Sequence, residues 1–202
     1  MVWPRRSGTT RLSTVTGVDA VRRYIITGAP GAGKTTVLAT LRAWGYAVVD
    51  EAATDVIAGQ HALGRDDPWY DPGFLDAVAE LQRQRQEQPP PPGVDIQLYD
   101  RSPICTLALA HYGRRPVTPV LAREVERIVG EQVYQPRVFF VHLLGFVTPT
   151  AARRISFAQS VRFEGIHRRA YHAHGYQLVH VPAGTVEERA ALIDRYIRSW
   201  SR

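Results

Sequence analysis

The stretch Tyr24-Ile25-Ile26-Thr27-Gly28-Ala29-Pro30-Gly31-Ala32-Gly33-Lys34-Thr35-Thr36 (YIITGAPGAGKTT, residues 24–36) joins a short apolar run to a glycine-rich turn. A brief apolar run bounded by glycine reads as a buried strand. The spacing of Val37, Leu38, Leu41 and Trp44 reads as one stripe of a helix, stopped at Gly45. Between them, Gly28-x-x-x-x-Gly33-Lys34-Thr35 is a phosphate-binding loop pattern in its required setting, after a strand and opening a helix. Glycines let the backbone curl so that successive amides point at phosphate oxygens, and the helix N-terminus adds positive potential. Gly28, Ala29, Pro30, Gly31, Ala32, Gly33, Lys34, Thr35 and Thr36 are therefore the expected cradle for ATP. Lys34 is placed to bridge the β- and γ-phosphates, and the Thr35 hydroxyl to ligate Mg2+. The full match and its placement weigh against an ordinary glycine-rich turn.

On either side of this loop, apolar strands alternate with helical patterns. Ala47–Val49 is a second strand ending in Asp50-Glu51, followed by a helix through Ile57. Residues 74–88 form a helix with Phe74, Val78 and Leu81 on one side, ended by the prolines at 89–92. Residues 94–99 are the third strand, and an apolar helix runs on through Ala110. A helix over 119–133 turns Leu121, Val125, Ile128 and Val129 inward, and the fourth strand covers 138–144. A basic helical stretch, 151–173, precedes the last strand at Gln177–Val181. Thr185 and Glu188 then stand at capping-box spacing before a helix with Val186, Ala190, Ile193, Ile197 and Trp200 on one face. Five strands alternating with helices predict a three-layer α/β/α sandwich around a five-stranded parallel sheet. Residues 1–20 read as a flexible basic arm, and 21–202 as one domain with an arginine-bearing lid at about 148–169.

Three lesser features bear on the fate of the terminal phosphate. An apolar strand ending in Asp50-Glu51 mimics the acidic strand of a motor ATPase, but it lies one helix after the phosphate loop. A carboxylate at that strand end faces the acceptor side of the cleft, where it could take a proton from an acceptor hydroxyl. Glu51 is favoured over Asp50, and the other account of both is a charge complementing a helix N-terminus. "LYDRSP", 98–103, puts Asp100 and Arg101 at the end of the third strand. Asp100 could hold Mg2+ through water or accept the hydroxyl proton, and Arg101 could neutralise charge on the transferring phosphoryl group. Ser102-Pro103 suits a helix N-cap followed by proline. The third feature, residues 148–169, carries Arg153, Arg154 and Arg162. Arg153 is expected on the nucleotide and Arg154 on the transition state, with Phe163, Ile166 and Ala170 docking the second half. Lys34, Glu51, Asp100, Arg101 and Arg154 are thus the expected catalytic side chains. Trp69, Tyr70 and Phe74 could stack an acceptor ring or simply pack. The histidines show no metal-ligand grouping, and Cys105 reads as a small buried apolar residue.

Bulk properties narrow the function classes. The 202 residues, 45% hydrophobic and 22% charged, suit one globular domain. No apolar run approaches the ~20 residues of a membrane span, no signal-peptide block opens the chain, and a single cysteine excludes an intrachain disulfide; a cytoplasmic protein is expected. The net charge is +6, of which Arg5, Arg6, Arg11, Arg22 and Arg23 against Asp19 contribute +4. With no basic face interleaved with aromatics, nucleic acid is not an expected partner.

Taken together, "GAPGAGKTT", "VVDEAA", "YDRSP" and the ending "RRAYHAHGYQLVHVPAGTVEER" resemble P-loop kinases of the AAA-type ATP-binding group. These are similar to the ribosylnicotinamide kinase domain and, more distantly, to deoxynucleoside and thymidylate kinases. The resemblance runs from about Tyr24 to the C-terminus, with 175–182 and the "VEER" helix start as its more discriminating piece. It implies that Lys34 and Thr35 are phosphate and magnesium ligands, that Arg101 has an active-site role, and that Glu51 falls near a general-base position. The lid departs from both kinase groups, and the chain lacks room for the helical lid domain of AAA+ motors. The expectation is an ATP- and Mg2+-dependent kinase with a hydroxyl-bearing small molecule as acceptor: a nucleoside, a nicotinamide riboside-like compound, or a metabolite such as an antibiotic. The competing expectation is a nucleotide-dependent ATPase or switch acting on a protein partner. A monomer is expected, or a homodimer pairing the 119–133 helix with its copy.

Overall fold

The computed structural model describes residues 21–144 and 156–200. The expected N-terminal arm and the lid positions Arg153 and Arg154 lie outside the described residues. Five strands, β1 (Arg22–Thr27), β2 (Ala47–Val49), β3 (Ile96–Asp100), β4 (Arg137–Val141) and β5 (Gln177–Val181), form one parallel sheet in the order β2-β3-β1-β4-β5. Helices α1 (Lys34–Ala43) and α7 (Val186–Trp200) cover one face. Helices α2 (Ala52–Ala62), α3 (Phe74–Glu87), α4 (Pro103–Tyr112), α5 (Pro119–Gly130) and α6 (Phe157–Ala173) cover the other. The three-layer sandwich expected from the alternation is the observed architecture.

β1 shows why the sheet needs both layers. Its Tyr24 and Ile26 join the core under α1 and α7, while Ile25 joins the core under the other helices. A strand buried on both faces reads as an unbroken apolar run, since neither side meets water. The chain leaves β1 towards β3 and β2 on one side and returns to β4 and β5 on the other. In open α/β sheets ligands gather outside the carboxyl ends of the strands at such a reversal.

Element ends differ from the expected ones for local reasons. α2 runs past Ile57 to Ala62 and stops only where Gly64 takes φ +76°. α5 stops at Gly130, ahead of Gln132 at φ +50°, and Val129 is exposed, not inward. The rest of its stripe, Leu121, Val125 and Ile128, is buried in the chain's own core. α1's stripe ends at Leu41, and Trp44, beyond the last turn, is exposed. β4 ends at Val141, short of Leu144. α6 begins at Phe157 because Ser156 and Gln159 cap it reciprocally, with bonds of 3.2 and 2.7 Å. Thr185 and Glu188 do the same for α7. Among the described residues, no helix is long and apolar enough to cross a membrane.

Candidate active site

The turn after β1 has a shape that only glycine allows at its tightest point. Gly28 has φ +149°, and a Cβ there would lie 2.2 Å from the Val141 carbonyl oxygen. Gly33 caps α1 at φ +77°, and no acidic side chain occupies the first turn of that helix. The helix N-terminus therefore keeps its positive potential. Ala29 and Ala32 are fully buried and anchor the loop from below, while Thr35 and Thr36 are exposed at its mouth. Lys34 is only 5% exposed, and its Nζ donates to the loop carbonyls of Gly28 and Ala29 at 3.1 and 3.3 Å. Burial, with Arg101 adding to it, lowers its pKa to about 8 against the partial support of Asp100 and Glu51. An ammonium held this way carries a desolvation cost that an anion would relieve.

Two further strand ends close on this loop. Asp100 ends β3, which pairs with β1 in register Ile26–Asp100. Burial raises the Asp100 carboxyl despite Lys34 and Arg101, and its Oδ1 is buried with no hydrogen-bond partner among the described residues. Arg101 takes φ +75°, a left-handed conformation that costs a non-glycine residue roughly 1–2 kcal/mol. Its N–H donates to the Ile26 carbonyl at 3.1 Å, and its guanidinium reaches Gly28 O at 3.3 Å and pairs with Glu51. Glu51 stands at the N-cap of α2 and also accepts from Thr54 at 3.2 Å. Burial pushes its carboxyl up, but Arg101 and Lys34 outweigh that, and the net shift is downward. Asp50 points elsewhere: it is exposed and paired with Arg42 at 2.6 Å. Of the two acids ending β2, only Glu51 joins Lys34, Asp100 and Arg101.

The third expected feature is divided. Arg162 is exposed on α6, with its guanidinium 5.8 Å over the Tyr112 ring. Phe163 is buried, and Ile166 and Ala170 are partly so, as expected of a docked helix. Of the three aromatics after β2, Phe74 is core, Trp69 packs against the core, and Tyr70 is 79% exposed. Cys105 is buried, yet its Sγ lies 3.0 Å from both Thr27 Oγ1 and the Tyr171 hydroxyl.

Two residues with clear roles in the geometry escaped sequence reasoning. Arg189, 3% exposed on α7, donates to Ala32 O at 2.8 Å and to His142 O at 2.9 Å, bracing the phosphate loop from behind. Its only signal was a place within the discriminating "VEER" stretch. Tyr171, fully buried on α6, bonds Ser102 Oγ at 2.8 Å. Ser102 and Pro103 do occupy the N-cap and first turn of α4, but the Ser102 side chain makes no cap bond. That helix forgoes about 1 kcal/mol of capping because the hydroxyl is committed to Tyr171.

These residues fit a nucleotide with Mg2+. The glycine-rich turn opens α1 at its positive N-terminal end, Lys34 Nζ lies 3.1 and 3.3 Å from the Gly28 and Ala29 carbonyls, and the exposed Thr35 stands at the helix mouth. Asp100 Oδ1, which has no hydrogen-bond partner among the described residues, is a candidate acceptor for a metal-bound water. Hard oxygen donors of this kind suit Mg2+, which keeps several waters and takes few protein ligands.

A family model described as an AAA domain matches residues 23–189. Several solved kinases share the fold at low identity. Thymidylate kinase from Candida albicans is 9% identical, with a TM-score of 0.52, covering 90% of this chain and 93% of that one. Deoxyadenosine kinase from M. mycoides, solved with bound dATP, is 13% identical at 0.53, covering 88% and 99%. Shikimate kinase from Acinetobacter baumannii, in complex with shikimate, is 15% identical at 0.53, covering 90% and 95%. A comparison with curated protein sequences finds no match.

Proposed function

The chain belongs to the AAA domain family, and we propose that it is a cytoplasmic, ATP- and Mg2+-dependent kinase that phosphorylates a hydroxyl of a small molecule. The observation that carries this reading is the convergence of Lys34, Glu51, Asp100 and Arg101, from three adjacent strand ends, on one crevice. A cradle alone fits any nucleotide-binding protein. A carboxylate beside an arginine at the acceptor edge fits transfer to a second substrate, and the P-loop kinase fold supports it.

In this reading residues 28–36 hold the triphosphate, and Lys34 exchanges its loop carbonyls for phosphate oxygens. Thr35 and Asp100, the latter through water, would hold Mg2+, whose charge neutralises the phosphates when bound. Arg101 turns its guanidinium from Glu51 towards the transferring phosphoryl oxygens. Released from that pair, Glu51 accepts the proton of the acceptor hydroxyl as the oxygen attacks the γ-phosphorus and the ADP oxygen departs. We assign Arg153 to the nucleotide and Arg154 to the transition state, within a lid at about 148–169. The acceptor is a nucleoside, a nicotinamide riboside-like compound or another hydroxylated metabolite, an antibiotic or its precursor included. The domain is 21–202, with 1–20 as an appended basic arm.

The test is a screen of nucleosides and hydroxylated metabolites with Mg-ATP, read by mass spectrometry for an added phosphate. ADP release with no phosphorylated product from any class would overturn the kinase reading in favour of an ATPase or switch. In the assay that succeeds, Glu51→Gln should lower kcat by 100-fold or more while changing ATP affinity less than threefold, as expected for a general base. Equal losses in both would remove Glu51 from that role.

A further inference from the structure

Four buried side chains form an unbroken polar chain beneath the crevice. Ser102 Oγ lies 2.8 Å from the Tyr171 hydroxyl, which lies 3.0 Å from Cys105 Sγ, itself 3.0 Å from Thr27 Oγ1. Each belongs to a different part of the site's support. Ser102 directly follows Arg101, Cys105 is in the first turn of α4, Thr27 directly precedes Gly28, and Tyr171 comes from α6, far along the chain. Tyr171 and Ser102 are fully buried, so no water competes for these bonds. Arg101, whose left-handed backbone must be held by its surroundings, directly precedes Ser102 and donates its N–H to the carbonyl of Ile26, the residue before Thr27.

We propose that Tyr171 is a positioning residue for Arg101. Its hydroxyl ties Ser102 to Cys105 and Thr27, fixing the β3–α4 corner that aims the guanidinium at the terminal phosphate. Burial, and after it Cys105, pushes the Tyr171 pKa well above the usual tyrosine value, which favours the protonated hydroxyl. The ring fills core space beside Tyr176, 5.7 Å away, and a phenylalanine would fill it equally. The hydroxyl's task is therefore separable from packing. This inference rests on the kinase reading, in which Arg101 faces the γ-phosphate.

The test needs no acceptor. Affinities for ADP and for the nonhydrolysable imido analogue of ATP, each with Mg2+, are measured by calorimetry, and their ratio reports contacts to the terminal phosphate. Arg101→Gln should lower the triphosphate preference at least tenfold. Tyr171→Phe should lower it three- to tenfold with ADP affinity unchanged, and the double variant should lose no more than Arg101→Gln alone, because both act through one contact. Should Tyr171→Phe fold poorly, Ser102→Ala removes the same bond from the other side and must give the same ratio. A wild-type ratio in these variants, an equal loss of ADP and triphosphate affinity, or multiplied losses in the double variant would overturn the proposal alone. An unchanged ratio in Arg101→Gln would overturn the placement of Arg101 on the phosphate, and this inference with it.

Discussion

Lys34 is the only lysine in the chain; every other permanently cationic side chain is arginine. Arginine's planar fork suits bidentate contacts, whereas the compact ammonium is a point charge that fits between two phosphates. Its burial has a stability consequence. With a folded pKa of about 8 against the ordinary 10.5, the unfolded chain binds a proton that the folded chain has released between those values. Stability therefore rises with pH through that window, and below pH 8 the buried charge costs its full ~3 kcal/mol. Lys34→Met should raise the denaturation midpoint of the nucleotide-free protein at pH 7 while abolishing ATP binding. A variant less stable than wild type would show that the loop carbonyls, not desolvation, dominate. By the same linkage, ATP affinity should fall about tenfold per unit above pH 8, with proton uptake on binding detectable by calorimetry in buffers of different ionisation heat. A flat profile to pH 9.5 would refute the depressed pKa. Among the acids, sequence proximity left Glu51 and Asp50 as alternatives. Their opposite partners, Arg101 and Arg42, separate them only in the fold.

At the scale of elements, the β1–α1 turn and the β4 end are locked by contact. Gly28→Ala would drive a methyl group into the Val141 carbonyl, and neither strand can retreat because both are hydrogen-bonded neighbours in the sheet. This variant should be destabilised by about 3 kcal/mol or more in urea unfolding, beyond the usual range of single substitutions; a loss under 1 kcal/mol would mean the loop can shift. Gly33→Ala meets the tip of the Arg189 side chain instead, a softer obstacle. α6 offers a milder case. Ser156→Ala removes one half of its capping box and should cost about 1 kcal/mol. The stripes of α5 and α7 were readable because their apolar spacing follows the helical period. The Trp44 assignment failed because periodicity does not say where a helix stops, whereas Val129, still within α5, lies outside its buried stripe of Leu121, Val125 and Ile128.

For the molecule as a whole, two cores lie on opposite faces of one sheet, and the proposed division into a 21–202 domain and a 1–20 arm implies that the arm adds nothing to their stability. Removing residues 1–20 should therefore leave ATP affinity and thermal midpoint unchanged, and should abolish any salt-sensitive nucleic-acid binding the full chain displays. A large drop in the midpoint would place the arm within the fold. The sequence by itself determined the sandwich, the strand count and the glycine-rich turn between β1 and α1, because these follow from short-range physics: apolar runs, helical periods, and glycines where the backbone turns tightly against its neighbours. The tertiary structure alone decided which acid accompanies Arg101, that Ser102 bonds Tyr171 in place of its own helix, and that Arg189 braces Ala32. Those partners stand 50, 69 and 157 residues apart in the chain, a separation at which local pattern carries no information and only the packing of the sheet brings side chains together.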